Sequence, residues 1–444
     1  MRGSSTAKRI IASAVALAAA SAPLGHGMAG TYRTRTEKLA PGVKYTVISD
    51  PAGPWRIRVV SIRLDRPSTI DVALAQDRLP GFETTSSMAR RHGALVAING
   101  DYARPSGRPV FTFAEDGELA QTELTYGRNF SVDAAQSAVY FGHPETEVEL
   151  TVEDGRAFPV HWVNTAYDDT KDRAAAFTPR AGKEVEPPAT ACSVRLRQTA
   201  PYRLDPSSAT SAAPFYVEKV RCDGYSLGRK GGTVVSAPPW TASGQALATL
   251  LVGSAATLSW TLGWPGVLDT IGGNPTLIEN GAIVPGNVYG SGPFFNRHPR
   301  TGVALTAESR VLFVVVDGRR KGYSVGMTLA EFAELLRSLG ATWALNLDGG
   351  GSTTMVIDGE VVNRPSDPEG ERGVSSALLL LPGGDAGETA PDPGGALPRA
   401  ALADAWERVA RDPASTGGLA DALGRAGYHL PPALEAAARS LRSR

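Results

Sequence analysis

The chain has 444 residues, with 45 basic and 45 acidic side chains. A charge this evenly balanced excludes the basic footprint of a nucleic-acid-binding protein. The 49 glycines and 32 prolines call for many turns and short strands, in a chain longer than one typical domain.

At the start, Arg2, Lys8 and Arg9 precede an Ala-rich apolar run from Ile10 to Leu24, and small residues follow toward Ala29. This is the grammar of an export signal, so residues 1–29 are set apart from the fold. The run is too short for a membrane span, which needs roughly 20 strongly apolar residues, and no later segment qualifies. The expectation is a secreted or extracytoplasmic protein with no transmembrane anchor.

Residues Thr84 to His92 read as a helix capped by Thr84 or Thr85 and stopped by Gly93, with the strand Ala94–Ile98 behind it. The same order returns at Thr328, which caps Leu329–Leu339 before Gly340 and the strand Thr342–Leu345. At a constant offset of 247, Gly93, Ala94, Ala97, Asn99 and Asp101 fall on Gly340, Ala341, Ala344, Asn346 and Asp348. Both units end in Asn-x-Asp, which reads as a pseudo-duplication. Asp116-Gly117, Asn280-Gly281 and Asp358-Gly359 each lie between apolar runs, as two-residue hairpin turns do, because both turn residues must take positive φ.

Alternating runs such as Glu147–Val152 and Phe215–Arg221 place additional antiparallel strands within residues 144–262. Cys192 and Cys222 are the two cysteines, and in an oxidising compartment they are expected to form a structural disulfide. Val311–Val316 is a continuous apolar run, suited to a central strand buried on both faces, and it delivers Asp317 at its end. Residues 383–395 are rich in Gly, Pro and acidic residues and read as a linker to a short helical tail, 396–444. The expected fold is α+β: a strand-rich mixed sheet core with two packed helices, occupying residues 30–382.

The strongest chemical signal is the run Asn346 to Thr354, in which Asp348 precedes Gly349, Gly350 and Gly351 and then Ser352, Thr353 and Thr354. Three glycines allow successive amides to converge on an anion. A glycine-rich turn capped by Asp348 is the plain alternative. Arg297, His298 and Arg300 form a second cluster able to bond phosphate, although a solvated basic loop has the same composition. Gly272-Gly273-Asn274-Pro275 reads first as a tight turn.

Taken in order, Asn99-Gly100-Asp101-Tyr102, Gly272 to Pro275, Arg297 to Thr301, Asp317-Gly318-Arg319, Asn346 to Thr354 and Asn363-Arg364-Pro365 resemble the motifs of phosphodiester glycosidase domains. The resemblance covers roughly Thr84 to Pro382. It implies a glycosidase that cuts a sugar-1-phosphodiester, with a phosphoglycan or phosphoglycoside as substrate. The sequence departs from the pattern at Asp101 and Asn274, which bears on sugar specificity.

On this reading Arg300, the Gly349–Gly351 amides and Ser352 take the phosphate, with Arg297, His298, Thr353, Gly273 and Asn274 as further substrate contacts. Asp348 faces the anomeric carbon or activates water, Asp101 and Asp317 are candidate second carboxylates, and Asn99 and Asn346 orient the site. No cofactor is required. Ca²⁺ or Mg²⁺ held by Asp101, Asp317 and Asp348 would instead make a phosphodiesterase attacking phosphorus. A non-catalytic glycan-binding protein is the other alternative.

Overall fold

The computed structural model describes residues 33–383 apart from 67, 124–126, 166, 183–185 and 206–209. The expected export signal and helical tail, and all of the linker but its first residue, therefore lie outside the described residues. Four layers account for most of the remainder: helix, sheet, sheet, helix.

The central sheet is antiparallel throughout, and six of its strands run Val43–Asp50, Trp55–Arg63, Arg310–Val316, Arg300–Thr306, Ala341–Asn346 and Thr276–Glu279. The apolar run 311–316 is buried on both faces, and its alternation sorts the side chains cleanly. Val311, Phe313 and Val315 face a second sheet, while Leu312, Val314 and Val316 pack with Phe332 and Leu336 of the helix Leu329–Ser338.

The second sheet contains Val96–Asn99, Ser376–Leu381, Thr69–Leu74 and Met355–Ile357. Val96 and Ile98 join the inner core, whereas Ala97 packs outward with Met88 and Ala89 of the helix Thr85–Arg91. A third sheet, in which Arg128–Asp133 pairs with Val267–Gly273, adds Phe130, Val132 and Ile271 to the same inner core.

Both helices begin and stop as their sequences dictate. Thr84 Oγ accepts a hydrogen bond from Ser87 N at 3.2 Å. At the second helix the cap is reciprocal: Thr328 Oγ accepts from Glu331 N at 3.1 Å, and Thr328 N donates to the Glu331 carboxylate at 2.9 Å. Gly93 and Gly340 leave the helices at φ 62° and 88°, a region open to glycine without steric cost. All three hairpins form, with positive φ at Asp116, Gly117, Asn280, Gly281, Asp358 and Gly359.

Residues 147–261 are more than extra strands. Seven of them close into a barrel when Cys192–Gln198 pairs on one side with Thr233–Ala237 and on the other with Thr210–Arg221. The expected antiparallel order holds except where Ala157–Val163 runs parallel to Ala174–Phe177. Ser193 lies opposite Arg221 in that register, which brings Cys192 beside Cys222, and the two are disulfide-bonded. Two short helices, Ala242–Ala248 and Pro285–Val288, accompany the two expected ones.

Phe313 is fully buried between the two sheets. Replacing it with Ala should cost about 3–5 kcal/mol, since the removed ring leaves a cavity that rigid layers cannot fill. Denaturant unfolding of the two proteins measures this difference.

Candidate functional site

The layered architecture brings several strand ends to one place. Asn99 ends its strand in the second sheet, Asn346 ends its strand in the central sheet, and Gly273 ends its strand in the third. Arg300 starts the strand beside Asn346, with Gly302 opposite Asn346 and Arg300 opposite Val316. Asp317 follows directly.

The two Asn-x-Asp units are stitched to each other. Asn99 Nδ2 donates to the Asp348 carbonyl at 2.7 Å, and Asp348 N donates to the Gly100 carbonyl at 3.0 Å. Asn99 Oδ1 accepts from Thr301 Oγ at 2.8 Å and from Thr354 N at 3.1 Å. Asn99 and Thr301 are completely buried, so each of these bonds is made away from water. Asn346 Nδ2 donates to Tyr102 Oη at 2.6 Å and to the Asn274 carbonyl at 2.9 Å. Tyr102 in turn donates to Asn274 O at 2.7 Å. The Asn274 side chain is exposed, and its backbone is what serves the site.

Three expected carboxylates meet three fates. Asp348 is partly exposed at the turn, with Gly349 N donating to its Oδ1 at 2.9 Å. Burial raises its pKa, opposed by the Ser352 hydroxyl, the Gly349 amide and the charges of Arg372 and Arg319. Asp101 is 1% exposed, and burial pushes it up to about 8, with the Asp348 charge adding to the effect.

Asp317 is also buried but belongs to the scaffold. Arg58 pairs with it at 2.7 Å, Tyr323 donates at 2.9 Å, and Asn363 Nδ2 and Arg364 N each donate at 3.0 Å. Its oxygens are saturated, which leaves nothing to offer a substrate. Asp101, Asp317 and Asp348 do not gather around one point as a cation would require. Among the described residues, a close group of three metal-competent side chains forms elsewhere, from Asp77, His92 and Glu115. Guanidinium groups already occupy it, Arg91 bonding Asp77 and His92, and Arg180 bonding Glu115.

The expected phosphate cradle is also rearranged. Gly349 N is bound to Asp348, Gly350 N to the Pro299 carbonyl at 2.9 Å and Ser352 N to the Gly349 carbonyl, so these amides are already engaged within the protein. The glycines instead admit close neighbours. A Cβ on Gly350 would lie 2.8 Å from Arg319 Nη2, and one on Gly351 would lie 2.2 Å from Arg372 Nη2. Bare backbone thus lets two guanidinium groups reach the turn that carries Asp348. Ser352 and Thr353 are buried beneath it, and Gly273 makes room for the Asn346 carbonyl, 2.6 Å from where its Cβ would stand.

Arg297 pairs with Glu331 at the surface. His298 Nε2 lies 2.8 Å from the Pro293 carbonyl, which assigns the proton there and leaves Nδ1 to accept from Arg319 at 3.3 Å. Burial and the nearby Arg319 and Arg300 lower its pKa, so at neutral pH it contributes no positive charge. Arg300 is 3% exposed and braces the loop before it, donating to the carbonyls of Met327, Phe294 and Asn296. Its partners are all neutral and burial lowers its pKa only to about 10, so it stays charged. The sequence gives no role to Arg319, Arg372 or Tyr102; Arg319 and Tyr102 lie inside family-like motifs, whereas Arg372 carries no local signal.

A wide cleft lined by Arg63, Asp65, Glu308 and Arg310 lies at the opposite end of the central strands and contains no buried carboxylate. The candidate site, with Asp101, Arg300, Asp317 and Asp348, lies at the other end of these strands.

A layered α+β domain with a carboxylate-bearing glycine turn ringed by arginines is the class of site that the fold defines. Residues 209–381 match the phosphodiester glycosidase family, a family of hydrolases, and the chain's resemblance to it is thereby established. The match leaves Asn99 to Tyr102 outside it, a shorter reach than the sequence motifs implied. A 68-residue stretch is 40% identical to the Mus musculus N-acetylglucosamine-1-phosphodiester alpha-N-acetylglucosaminidase, covering 15% of this chain and 13% of that protein. The chain thus spans a small part of that relative's length. In fold, a Synechocystis protein superposes with a TM-score of 0.60 at 20% identity, over 78% of this chain and 63% of its own. A Burkholderia pseudomallei protein does so at 0.58 and 19%, over 80% and 97%.

Asp317→Ala should cost about 3–5 kcal/mol in unfolding free energy, because it strands the buried Arg58 charge. Measured against it, Arg297→Ala at the surface should change stability by less than about 1 kcal/mol.

Proposed function

We propose that this protein is an exported hydrolase that cleaves the bond between the anomeric carbon and the phosphate of a sugar-1-phosphodiester in a glycoconjugate. The observation that carries the reading is the placement of Asp348, a partly exposed carboxylate on a turn approached by the Arg319 and Arg372 guanidinium groups. One negative and several positive groups match a substrate that develops positive charge at carbon and carries negative charge on phosphate.

Departure of a phosphate makes the anomeric carbon oxocarbenium-like, and a carboxylate stabilises such a state. A phosphodiester leaves as a phosphomonoester and already carries negative charge, so its need for a proton is small. Stabilising that anion is the larger task. Arg319 is free of any acidic ion-pair partner among the described residues and is exposed, so it is assigned to the phosphate. Arg372 shares its charge with Asp367 at 2.7 Å and Arg300 adds an unneutralised buried charge behind them. Asp348 faces the sugar, either stabilising the cationic carbon or activating water. The mechanism assigned here needs no metal ion, and an acetylated glucosamine is the first sugar to test.

Asp348→Asn keeps the shape and removes the charge. Turnover on a sugar-1-phosphodiester should fall by about 10²–10⁴-fold with a smaller change in KM, as for an interaction made in the transition state. Because the Asp348 pKa is raised, the acid side of the rate profile should fall off above the ordinary carboxylate range near ~4. Hydrolysis in oxygen-18 water should put the label in the sugar. Label in the phosphate would show attack at phosphorus and end this reading.

A further inference from the structure

We propose that Asp101 is a positioning residue that works in its neutral, protonated form and leaves Asp348 as the one charged carboxylate the substrate meets. The inference rests on the proposed hydrolysis for its functional meaning. It is carried by the contrast between Asp101 and the other carboxyl groups around it.

Asp317 and Asp101 are equally buried, at 1% exposure each. Asp317 has a guanidinium and three further donors. Phe111 N donates to Asp101 Oδ2 at 2.8 Å, and the Tyr102 and Val110 amides nearby also favour the ionised form, but burial outweighs all three and Oδ1 is buried without a partner. No arginine, lysine or histidine of the described residues bonds to it. An ionised carboxylate in that setting would have one oxygen desolvated and uncompensated.

The groups around Asp101 favour the same state. On its own loop, Tyr102 is an uncharged phenol held by Asn274 and Asn346. From the strand Ser376–Leu381, the Ser376 hydroxyl accepts from Asp101 N at 3.1 Å and so serves its backbone. From the strand Val267–Gly273, Gly272 offers no side chain, and a Cβ there would come within 2.9 Å of Asp101 Oδ2. The glycine turn brings Asp348, whose backbone bonds to Gly100 and whose negative charge opposes ionisation of Asp101. Two carboxyl groups set in environments this different differ in charge state, one kept protonated and the other ionised.

A second buried oxygen, Asn346 Oδ1, also lacks a partner, while its Nδ2 is fixed by Tyr102 and the Asn274 carbonyl. Through Tyr102 and Gly100, Asp101 adjoins the Asn346 side-chain amide and the Asp348 backbone, so its charge state sets the field at Asp348 without touching substrate.

The linkage has a definite sign. The folded protein keeps this proton up to about pH 8, while an unfolded Asp loses it near ~4. Between those values folding binds a proton, and the contribution of Asp101 to stability falls as pH rises.

Asp101→Asn mimics the neutral acid. Near pH 6.5 its kcat/KM should stay within about tenfold of the parent, and the fall in rate as pH rises through about 8 should disappear. Asp348→Asn should be strongly impaired at every pH. Infrared difference spectra give an independent readout: a protonated carboxyl band should persist above neutral pH in the parent and in Glu115→Gln, and vanish when Asp101→Asn is added to Glu115→Gln. Glu115 is the needed control because burial pushes it up to about 7. If folded Asp101→Asn is as inactive as Asp348→Asn across the pH range, or if no such band exists in the parent or in Glu115→Gln, the proposal is overturned. If no sugar-1-phosphodiester is cleaved by the parent, the function reading fails while the infrared result still decides the state of Asp101.

Discussion

The reciprocal pair of hydrogen bonds between Asn99 and Asp348 and between Asp348 and Gly100 holds two sheets together at the one point where the chemistry is placed. Each sheet is backed by its own capped helix, and each helix–strand unit ends in the same Asn-x-Asp sequence. The inner core of Phe313, Val315, Ile98 and Leu378 presses the sheets together, but dispersion and apolar burial are not directional. Register at the strand ends comes from the buried amides of Asn99 and Asn346, whose misplacement would leave donors and acceptors unpaired in a dry interior.

Electrostatic division of labour follows from that placement. Asp317, at the end of the central strand, is neutralised by Arg58 and becomes part of the frame. Asp348, two strands away, stays partly exposed with guanidinium groups near it but none fully committed to it. Identical side chains take different roles because the frame supplies a cation to one, solvent to another, and neither to Asp101. The glycine run acts by omission, since each missing Cβ is space that a guanidinium or a carbonyl fills.

Much of this was legible in the sequence where the signal was local. The caps at Thr84 and Thr328, the three Asx-Gly hairpins, the two-faced strand 311–316 and the repeated Asn-x-Asp ends depend on neighbours within a few residues, and all formed as read. Closure of the barrel was not legible, because it depends on Cys192–Gln198 finding two partners, one of them through register with Thr210–Arg221. At the candidate site, motif spacing singled out Asp348, Asn346 and Asn99, which the fold brings together. It could not show that Arg58 lies against Asp317 across 259 residues, that His298 is kept neutral by burial and adjacent arginines, or that Arg372 reaches Gly351.

The path of the chain through the central sheet has a kinetic meaning. Trp55–Arg63 is an early strand whose outer neighbour is Val43–Asp50 and whose inner neighbour is the late strand Arg310–Val316. An early hairpin must therefore wait, with one hydrogen-bonding edge open, while more than two hundred residues are made. The barrel strands arrive in the interval and find most of their partners among themselves. Contacts of such long range form slowly, and an unpaired edge invites the wrong partner. A chain of this design assembles its barrel as a local event and its central sheet as a late one, so the turn that carries Asp348 comes into being only after the early and late strands of that sheet have met.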